Sequence, residues 1–386
     1  MFYTLHTLKI IQPKNFDWQF SDFFRHIVYS SDLNNIYFNS MDAVFPPLAY
    51  IFYHILWKLN PVYLSVGLLS WNASMLYQFN LLIFLMYNIV IILLLSYVVN
   101  RLLKVNFKGN IFLLLIIFSA SFMFGAIERG NCAILVLTLV LYALYFKDSD
   151  NKYLREIALF LIAIAASFKI YPAIFGLMYI KEKRFNEAFR LIIYGVLFFF
   201  IPFLFTGGLN GFKQYLNVVG NAKGAVDIRW TNIRGVFYCI LNMFHIDYLH
   251  YDNFGKIIEN IYLILAVLGF FKCKTKWKSI YFLSSIMSVY VFNSYRYTSI
   301  YMLIPFIYFI IDESKEKVYD YMYLILFSLI FVIPIYGFNM DVEFLIFTPI
   351  YLIAVLILGE KIINNIKNKT SKIGIKLMKN YKNRGV

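Results

Sequence analysis

The stretch Leu154–Ile180, LREIALFLIAIAASFKIYPAIFGLMYI, is apolar enough to lie in a bilayer, yet it starts and ends in basic sequence. Lys147, Lys152 and Arg155 stand around its start, and Lys181, Lys183, Arg184 and Arg190 follow it. Basic loops stay on the cytoplasmic side of a membrane, and a segment with both ends on one side has to turn back. Near its middle lie Lys169 and Pro172. Lysine at that depth is expensive unless it faces water or an anionic partner. Proline removes a backbone donor and pushes the preceding residue out of helical geometry. The sequence therefore predicts two short helices turning at Phe168–Pro172, with Lys169 at the far face.

The rest of the chain suits that setting. Of its 386 residues 61% are hydrophobic and only 15% charged, with mean hydropathy +0.67. Repeated apolar runs of bilayer length predict an all-α polytopic membrane protein of roughly ten spans, some short, re-entrant or broken. The formal charge of +15 sits largely in short loops and the tail. The positive-inside rule accounts for it, so nucleic acid is not an expected partner. Cys132, Cys239 and Cys273 lack paired spacing, which argues against a disulfide framework or a zinc site. The 20% aromatic content, 41 Phe and 32 Tyr, reads as the product of an AT-rich genome rather than as a sugar channel.

Taken in order, residues 1–18 form neither a signal peptide nor a span. The polar opening loop 15–47 gathers Asp17, Asp22, Asp32 and Asp42. With Ser21 as cap of a helix starting at Asp22, residues Asp22, Arg25 and His26 share a face. Residues 45–69 are apolar but broken by Pro46-Pro47 and Asn60-Pro61, and the side on which they end stays open. Residues 79–99 are the clearest span, followed by the inner cations Arg101, Lys104 and Lys108. From there the runs alternate: 110–127 out, 132–146 in, the hairpin, 191–206 out, 257–271 in, 279–292 out, 298–311 in, 319–338 out and 344–359 in. Residues 236–256 read as an outer amphipathic helix and loop. The expected organisation is one transmembrane domain, 1–360, and a basic cytoplasmic tail, 361–386, lying on anionic headgroups. Asp22, Glu128-Arg129-Gly130-Asn131, Lys169, Arg229, Arg234 and Arg296 then all fall on the outer face, and no soluble inner domain is present to use a cytoplasmic nucleotide sugar.

Asp148-Ser149-Asp150 matches the metal-binding DxD pattern but sits in a short basic loop, where a solvated turn is the better reading. The five histidines lack metal-ligand spacing. No Walker or Gly-x-Ser-x-Gly motif occurs. Neither a metal nor another cofactor is expected. Alone, Glu128–Asn131 reads as a tight turn with a local ion pair. Lys169 reads equally well as a snorkelling lysine.

Three features in order carry a resemblance: Asp22-Phe23 leading to Phe45-Pro46-Pro47-Leu48, then Glu128-Arg129-Gly130-Asn131 before an apolar helix, then Ala166-Ser167-Phe168-Lys169-Ile170-Tyr171-Pro172 before a helix and a basic loop. Over roughly residues 20–205 the chain resembles the polyprenyl-phosphate-sugar-dependent membrane glycosyltransferases of family 87. These are GT-C-type enzymes, and the family includes a mannosyltransferase of phosphatidylinositol mannoside synthesis. The resemblance implies a spanning helix before the acidic loop, so a first helix is expected to be missing from this start. It also implies transfer of a hexose, mannose-like, from a polyprenyl-phosphate donor to a glycolipid or glycan acceptor at the outer face of a cell (inner or plasma) membrane.

Such a donor is already activated, so direct displacement needs a carboxylate to take the acceptor's proton and cations to hold the departing phosphate. Asp22 is the candidate base, with His26 or Arg25 to orient it. Lys169 leads the phosphate ligands, with Arg129, Arg229 and Arg234 behind it. Glu128, Asn131, Tyr171 and Arg296 complete the candidate site. An O-antigen-type polymerase using Arg229, Arg234 and Arg296, or a lipid-linked glycan transporter or flippase, are the alternatives. Against the last, no internal repeat or paired broken helices are visible.

Overall fold

In hydrocarbon, backbone polar groups have to be satisfied within the chain, which for runs such as residues 79–99 leaves helix as the solution. The computed structural model describes residues 20–39, 42–62, 78–103, 114–115, 117–224, 232–290, 296–312, 317–331 and 348–360. All regular structure among them is helical. In chain order the helices of five or more residues are α1 Ser21–Tyr29, α2 Pro47–Lys58, α3 Gln78–Leu103, α4 Ser121–Arg129, α5 Ala133–Phe146, α6 Lys152–Phe168, α7 Leu177–Lys181, α8 Phe185–Phe200, α9 Gly208–Gly224, α10 Ile233–Met243, α11 Asp252–Lys272, α12 Lys276–Val289, α13 Leu303–Ile311 and α14 Lys317–Phe331, with α15 Thr348–Glu360. Short 3-10 segments at Tyr171–Gly176, Ile201–Phe205 and Arg296–Met302 lead into or out of them.

Three helical stretches among the described residues are long and apolar enough to cross a membrane: Gln78–Leu103, Phe185–Phe205 and Tyr248–Lys272. Their large apolar side chains are exposed along one flank, as with Leu82, Met86, Ile89 and Leu93 on α3 and Ile257, Ile261, Ile264 and Leu268 on α11. Exposed rows of that kind face lipid, because water would penalise them. Shorter apolar helices, α5, α10, α13, α14 and α15 among them, accompany these spans. Helices α5 and α12 are buried along most of their length.

Two ends of the bundle are chemically distinct. At one end the basic loops meet. Lys147, 1% exposed, donates to Asp148 at 2.7 Å and to both oxygens of Glu182. Arg184 reaches Asp148 and the Lys147 carbonyl, and Lys276 reaches Asp148 at 3.0 Å. Asp148 of the DxD pattern is thereby taken up by three cations. Burial alone would raise its carboxyl, but Lys147 and Lys276 bring it down to about 2. Lys181 ties the end of α11 to α12 through the Phe270 and Cys273 carbonyls and Ser279 Oγ, each at 2.6 Å. Lys278 and Tyr323 both bind Glu360 at the end of α15. The loops at 147–155, 181–190 and 272–278 and the end of α15 therefore share one end of the molecule.

The hairpin follows from the same contacts. Helix α6 leaves the basic end and stops at Phe168. Lys169 is extended, with φ −147° and ψ 125°. Pro172 then sits in the first turn of the 3-10 segment that returns towards α7. The start of α6 and the residues after α7 meet again through the Arg155–Glu187 ion pair at 3.6 Å and the Arg190–Glu156 pair at 3.0 Å. Lys169 is thus left at the opposite end.

At that opposite end α2, whose side the sequence left open, lies across the bundle rather than through it. Phe45, just before it, touches Lys169, Phe52 packs on Phe168 at 5.5 Å, and Asn60 just after it donates to Asn80 at the start of α3. Helix α10, with 11 residues about 16 Å long, is too short to span and packs on α11. Residues 1–19, Arg229 and the tail 361–386 lie outside the described residues.

Candidate functional site

Helix α4 ends at Gly130, whose φ of 68° is the left-handed conformation that closes many helices. Gly130 and Asn131 N–H groups return to the Ile127 and Ala126 carbonyls, so Arg129 and Asn131 are held on a rigid corner. A Cβ on Gly130 would meet the Cβ of Phe23 at 2.7 Å. Glycine here serves both its φ and the close approach of α1. The opening helix is docked onto this corner by the Phe20 N–H, which donates to the Glu128 carbonyl. Phe20 and Phe23 also pack on Phe84 of α3, at 4.4 and 5.1 Å.

That docking corrects the capping expected of Ser21. The helix begins one residue earlier, at Ser21 itself. Its N-cap is Phe20 in the left-handed region, and no side chain caps it. Ser21 Oγ is buried without a hydrogen-bond partner among the described residues. The tertiary contact with the Gly130 corner sets the helix start, overriding local capping preference.

Asp22 is presented directly to the corner. Arg129 grips it in a fork, Nη2 to Oδ1 at 3.0 Å and Nε to Oδ2 at 3.3 Å, and Asn131 Nδ2 donates to Oδ2 at 2.7 Å. Burial works to raise the Asp22 carboxyl, but the Arg129 charge and hydrogen bond outweigh it, so the group sits below its ordinary value of 3.8 and is ionised at neutral pH. A carboxylate offers about four lone-pair sites. The described donors fill three, leaving one on Oδ1.

Asn131 is the hub. Its amide oxygen accepts from the Ala133 N–H at 3.0 Å and from Lys169 Nζ at 2.7 Å. The three motifs, up to 147 residues apart in the chain, thus converge as Asp22–Asn131–Lys169. Lys169 is 7% exposed and makes no ion pair among the described residues. Its Nζ instead lies 5.2 Å from the rings of Phe45 and Tyr297 and 5.8 Å from Tyr171. One of its three donors has a described partner, Asn131.

His26, one turn along α1 from Asp22, makes no described hydrogen bond to it. The contacts that orient the carboxylate come from Arg129 and Asn131. The imidazole is buried among Phe45, Tyr50 and Tyr53, with ring centroids 4.2 to 5.6 Å away. Burial drives its pKa down to about 3, against the pull of Asp22, so it is neutral. Arg25 turns away to Asp42 at 3.4 Å. Asp32 caps the next 3-10 turn through Asn35 N–H.

The remaining candidates divide. Tyr171 joins the corner and shares a 2.7 Å hydrogen bond with Tyr301. Glu128 contributes its carbonyl to Phe20. Arg234, 4% exposed, has its described ion pairs elsewhere, with Asp252 at 3.7 Å and Glu259 at 3.9 Å. Arg296 opens the 3-10 segment that contains Tyr297 and Tyr301, next to the corner. Arg229 lies outside the described residues.

The residues sequence reasoning missed are Tyr297, which walls the lysine, and Tyr301, which holds Tyr171 beside it, from a segment more than 120 residues away. Their only linear signal was the polar break Asn293–Tyr297 between two apolar runs. No group of three or more His, Cys, Asp or Glu among the described residues is arranged to hold a metal ion.

The corner joins an ionised carboxylate, a forked arginine and a buried lysine without a carboxylate of its own, at the end remote from the basic loops. No curated protein matches the chain. The family model for glycosyltransferase family 87 matches residues 44–276, more than half of the chain, and takes in both the Glu128–Asn131 corner and the Lys169 turn. The chain therefore belongs to glycosyltransferase family 87.

Proposed function

We propose that this glycosyltransferase takes a hexose from a polyprenyl-phosphate donor and transfers it to a glycolipid or glycan hydroxyl at the outer face of the plasma or inner membrane. The observation that carries the reading is Lys169. A buried ammonium held by one neutral amide oxygen and three aromatic rings is poorly compensated, and an incoming phosphate supplies the missing anion. The donor's phosphate would bind Lys169, with Arg129 near enough to share the charge. As the sugar–oxygen bond breaks, negative charge grows on the departing polyprenyl phosphate, and a preorganised cation in a water-poor corner stabilises that change more than it stabilises the bound donor.

Asp22 faces the attacking hydroxyl in this scheme. Its remaining Oδ1 lone pair accepts the proton while Arg129 and Asn131 hold it in place. The acceptor oxygen bonds to the anomeric carbon as the phosphate leaves with the bonding pair. The proton on Asp22 is short-lived, because its neighbours favour the ionised form. The two-sided ion distribution supports an outer site: the basic loops and the end of α15 gather at one end, which we take as cytoplasmic, and the corner lies at the other. Of the arginines a polymerase would use, Arg234 is engaged by Asp252 and Glu259, so that reading gains no support.

The test is transfer by the purified full chain in lipid nanodiscs, with radiolabelled polyprenyl-phosphate mannose and polyprenyl-phosphate glucose as donors and a membrane glycolipid extract as acceptor. New labelled glycolipid is expected from at least one donor, and Lys169→Ala should raise the donor KM at least tenfold. If the wild-type chain moves neither sugar, the reading fails. Unaltered kinetics in Lys169→Gln would remove the lysine from the site.

A further inference from the structure

Beyond phosphate binding and proton transfer, the corner contains a buried polar atom that neither step uses. His26 Nδ1 is buried and has no hydrogen-bond partner among the described residues. The side chain itself is 5% exposed. Its ring packs on Phe45 at 4.2 Å, tilted by 34°, and Lys169 Nζ lies 5.2 Å from the same Phe45 ring. Along α1 it lies one turn from Asp22, about 6 Å between Cβ atoms. The imidazole therefore borders the same corner as the proton acceptor and the phosphate cation.

The Phe45 wall is itself fixed. The Tyr37 hydroxyl donates to the Phe45 carbonyl at 3.0 Å, and the Phe45 N–H donates to the Tyr50 hydroxyl at 3.4 Å. Pro46 and Pro47 follow with restricted φ. His26 thus cannot relieve its orphaned nitrogen by a small shift of its neighbours. An unpaired buried polar atom costs stability, and such atoms persist where a ligand completes them.

We propose that His26 is a hydrogen-bond ligand for a hydroxyl of a sugar ring bound at the Asp22–Lys169 corner. The proposal rests on the transfer reading above and deepens it. Aromatic walls on several sides keep the imidazole uncharged, so its partner is a neutral group that can donate or accept, as a hydroxyl does, rather than the phosphate. Two sugars are available, that of the donor and that of the acceptor, and the chemistry is the same for both. A site built around a hydroxyl rejects an analogue lacking it, because the protein's own polar group is then left unpaired.

The experiment uses the full chain in nanodiscs, polyprenyl-phosphate mannose or glucose (whichever the wild type uses) and octyl mannoside as acceptor. Each sugar hydroxyl of the donor, and then of the acceptor, is removed in turn. One deoxy compound should lower wild-type kcat/KM by roughly 10- to 100-fold. His26→Phe should lose a similar factor with the parent substrates, yet show almost no further loss with that one compound. Its identity assigns the hydroxyl to donor or acceptor. His26→Asn, which puts a polar atom near the Nδ1 position, should recover part of the rate. His26→Phe should melt no lower than wild type, since it removes an orphaned polar atom, so its lost activity is not lost fold. If His26→Phe transfers within threefold of an active wild type, or loses equally with every deoxy compound, the hydroxyl contact is overturned while the transfer reading stands. If the wild type itself is inactive with both donors, both fall together.

Discussion

Asp22→Asn separates proton transfer from binding. Asparagine keeps the size and can still accept from Arg129, but it cannot take a proton from the acceptor. A positioned base contributes about 10²–10⁴-fold, so transfer should drop by that factor with donor affinity within a few-fold of the parent. Asp32→Asn and Asp42→Asn are the controls. Asp32 caps a 3-10 turn and Asp42 is exposed against Arg25, so both should turn over normally. A dead Asp32→Asn with a healthy Asp22→Asn would reassign the base.

His26 and Asp22 set a pH dependence. An unfolded chain binds a proton on His26 near 6.5, whereas the folded imidazole resists it until about 3. Protonation then favours unfolding. The stability is complete above pH 7 and falls as pH drops from 6.5 towards 3, by about 1.4 kcal/mol per pH unit at most. Asp22, held below 3.8, adds stability present above that value and lost as pH falls through its lower folded one. Melting in nanodiscs should therefore decline from pH 7 to pH 4, and His26→Phe should flatten the decline between pH 7 and pH 5. An unchanged slope in that variant would place the acid lability elsewhere.

Among the elements, α1 and the α4–α5 corner depend on one glycine. Alanine at Gly130 would carry an unfavourable φ and press its Cβ into Phe23. The two effects together cost about 2–5 kcal/mol. Gly130→Ala should lower the melting temperature and, by lifting α1 off the corner, remove transfer even where the chain remains folded. Gly195→Ala in α8 meets nothing within 4 Å and should be silent by both measures. Tertiary contact also explains why local signals misplaced the start of α1: Ser21 has a good capping side chain, but the Phe20–Glu128 bond and the Phe20–Phe84 contact fix the chain one residue earlier.

The whole molecule is sorted by charge. Lys147, Lys181, Arg184, Lys276 and Lys278 gather at one end, where they are neutralised by Asp148, Glu182, Glu187 and Glu360 or by helix-end carbonyls. We expect reporter fusions near Lys183 and at Val386 to report the cytoplasm and a fusion near Lys223 to report the outside. An outside-only reporter active at Val386 would overturn that orientation.

The helical class, the reversal at Lys169 and the basic loops were legible in the chain itself, because hydrocarbon leaves the backbone few options and charge sorts the loops by side. That the motifs of Asp22, Glu128–Asn131 and Lys169 belong together was legible too, through their order, and the fold joins them at one corner. What linear reading did not reach is partnership. That Arg129 and Asn131, rather than His26, hold Asp22, that Tyr297 walls Lys169 while Tyr301 holds Tyr171, and that Arg234 is taken by Asp252 and Glu259 depend on which helix ends meet in space. Apolar runs specify that a segment is buried, and loop charge specifies the side on which it ends. Neither encodes which neighbours it meets, since nearly interchangeable Phe, Ile and Leu surfaces leave the pairing to side-chain fit across the assembled bundle.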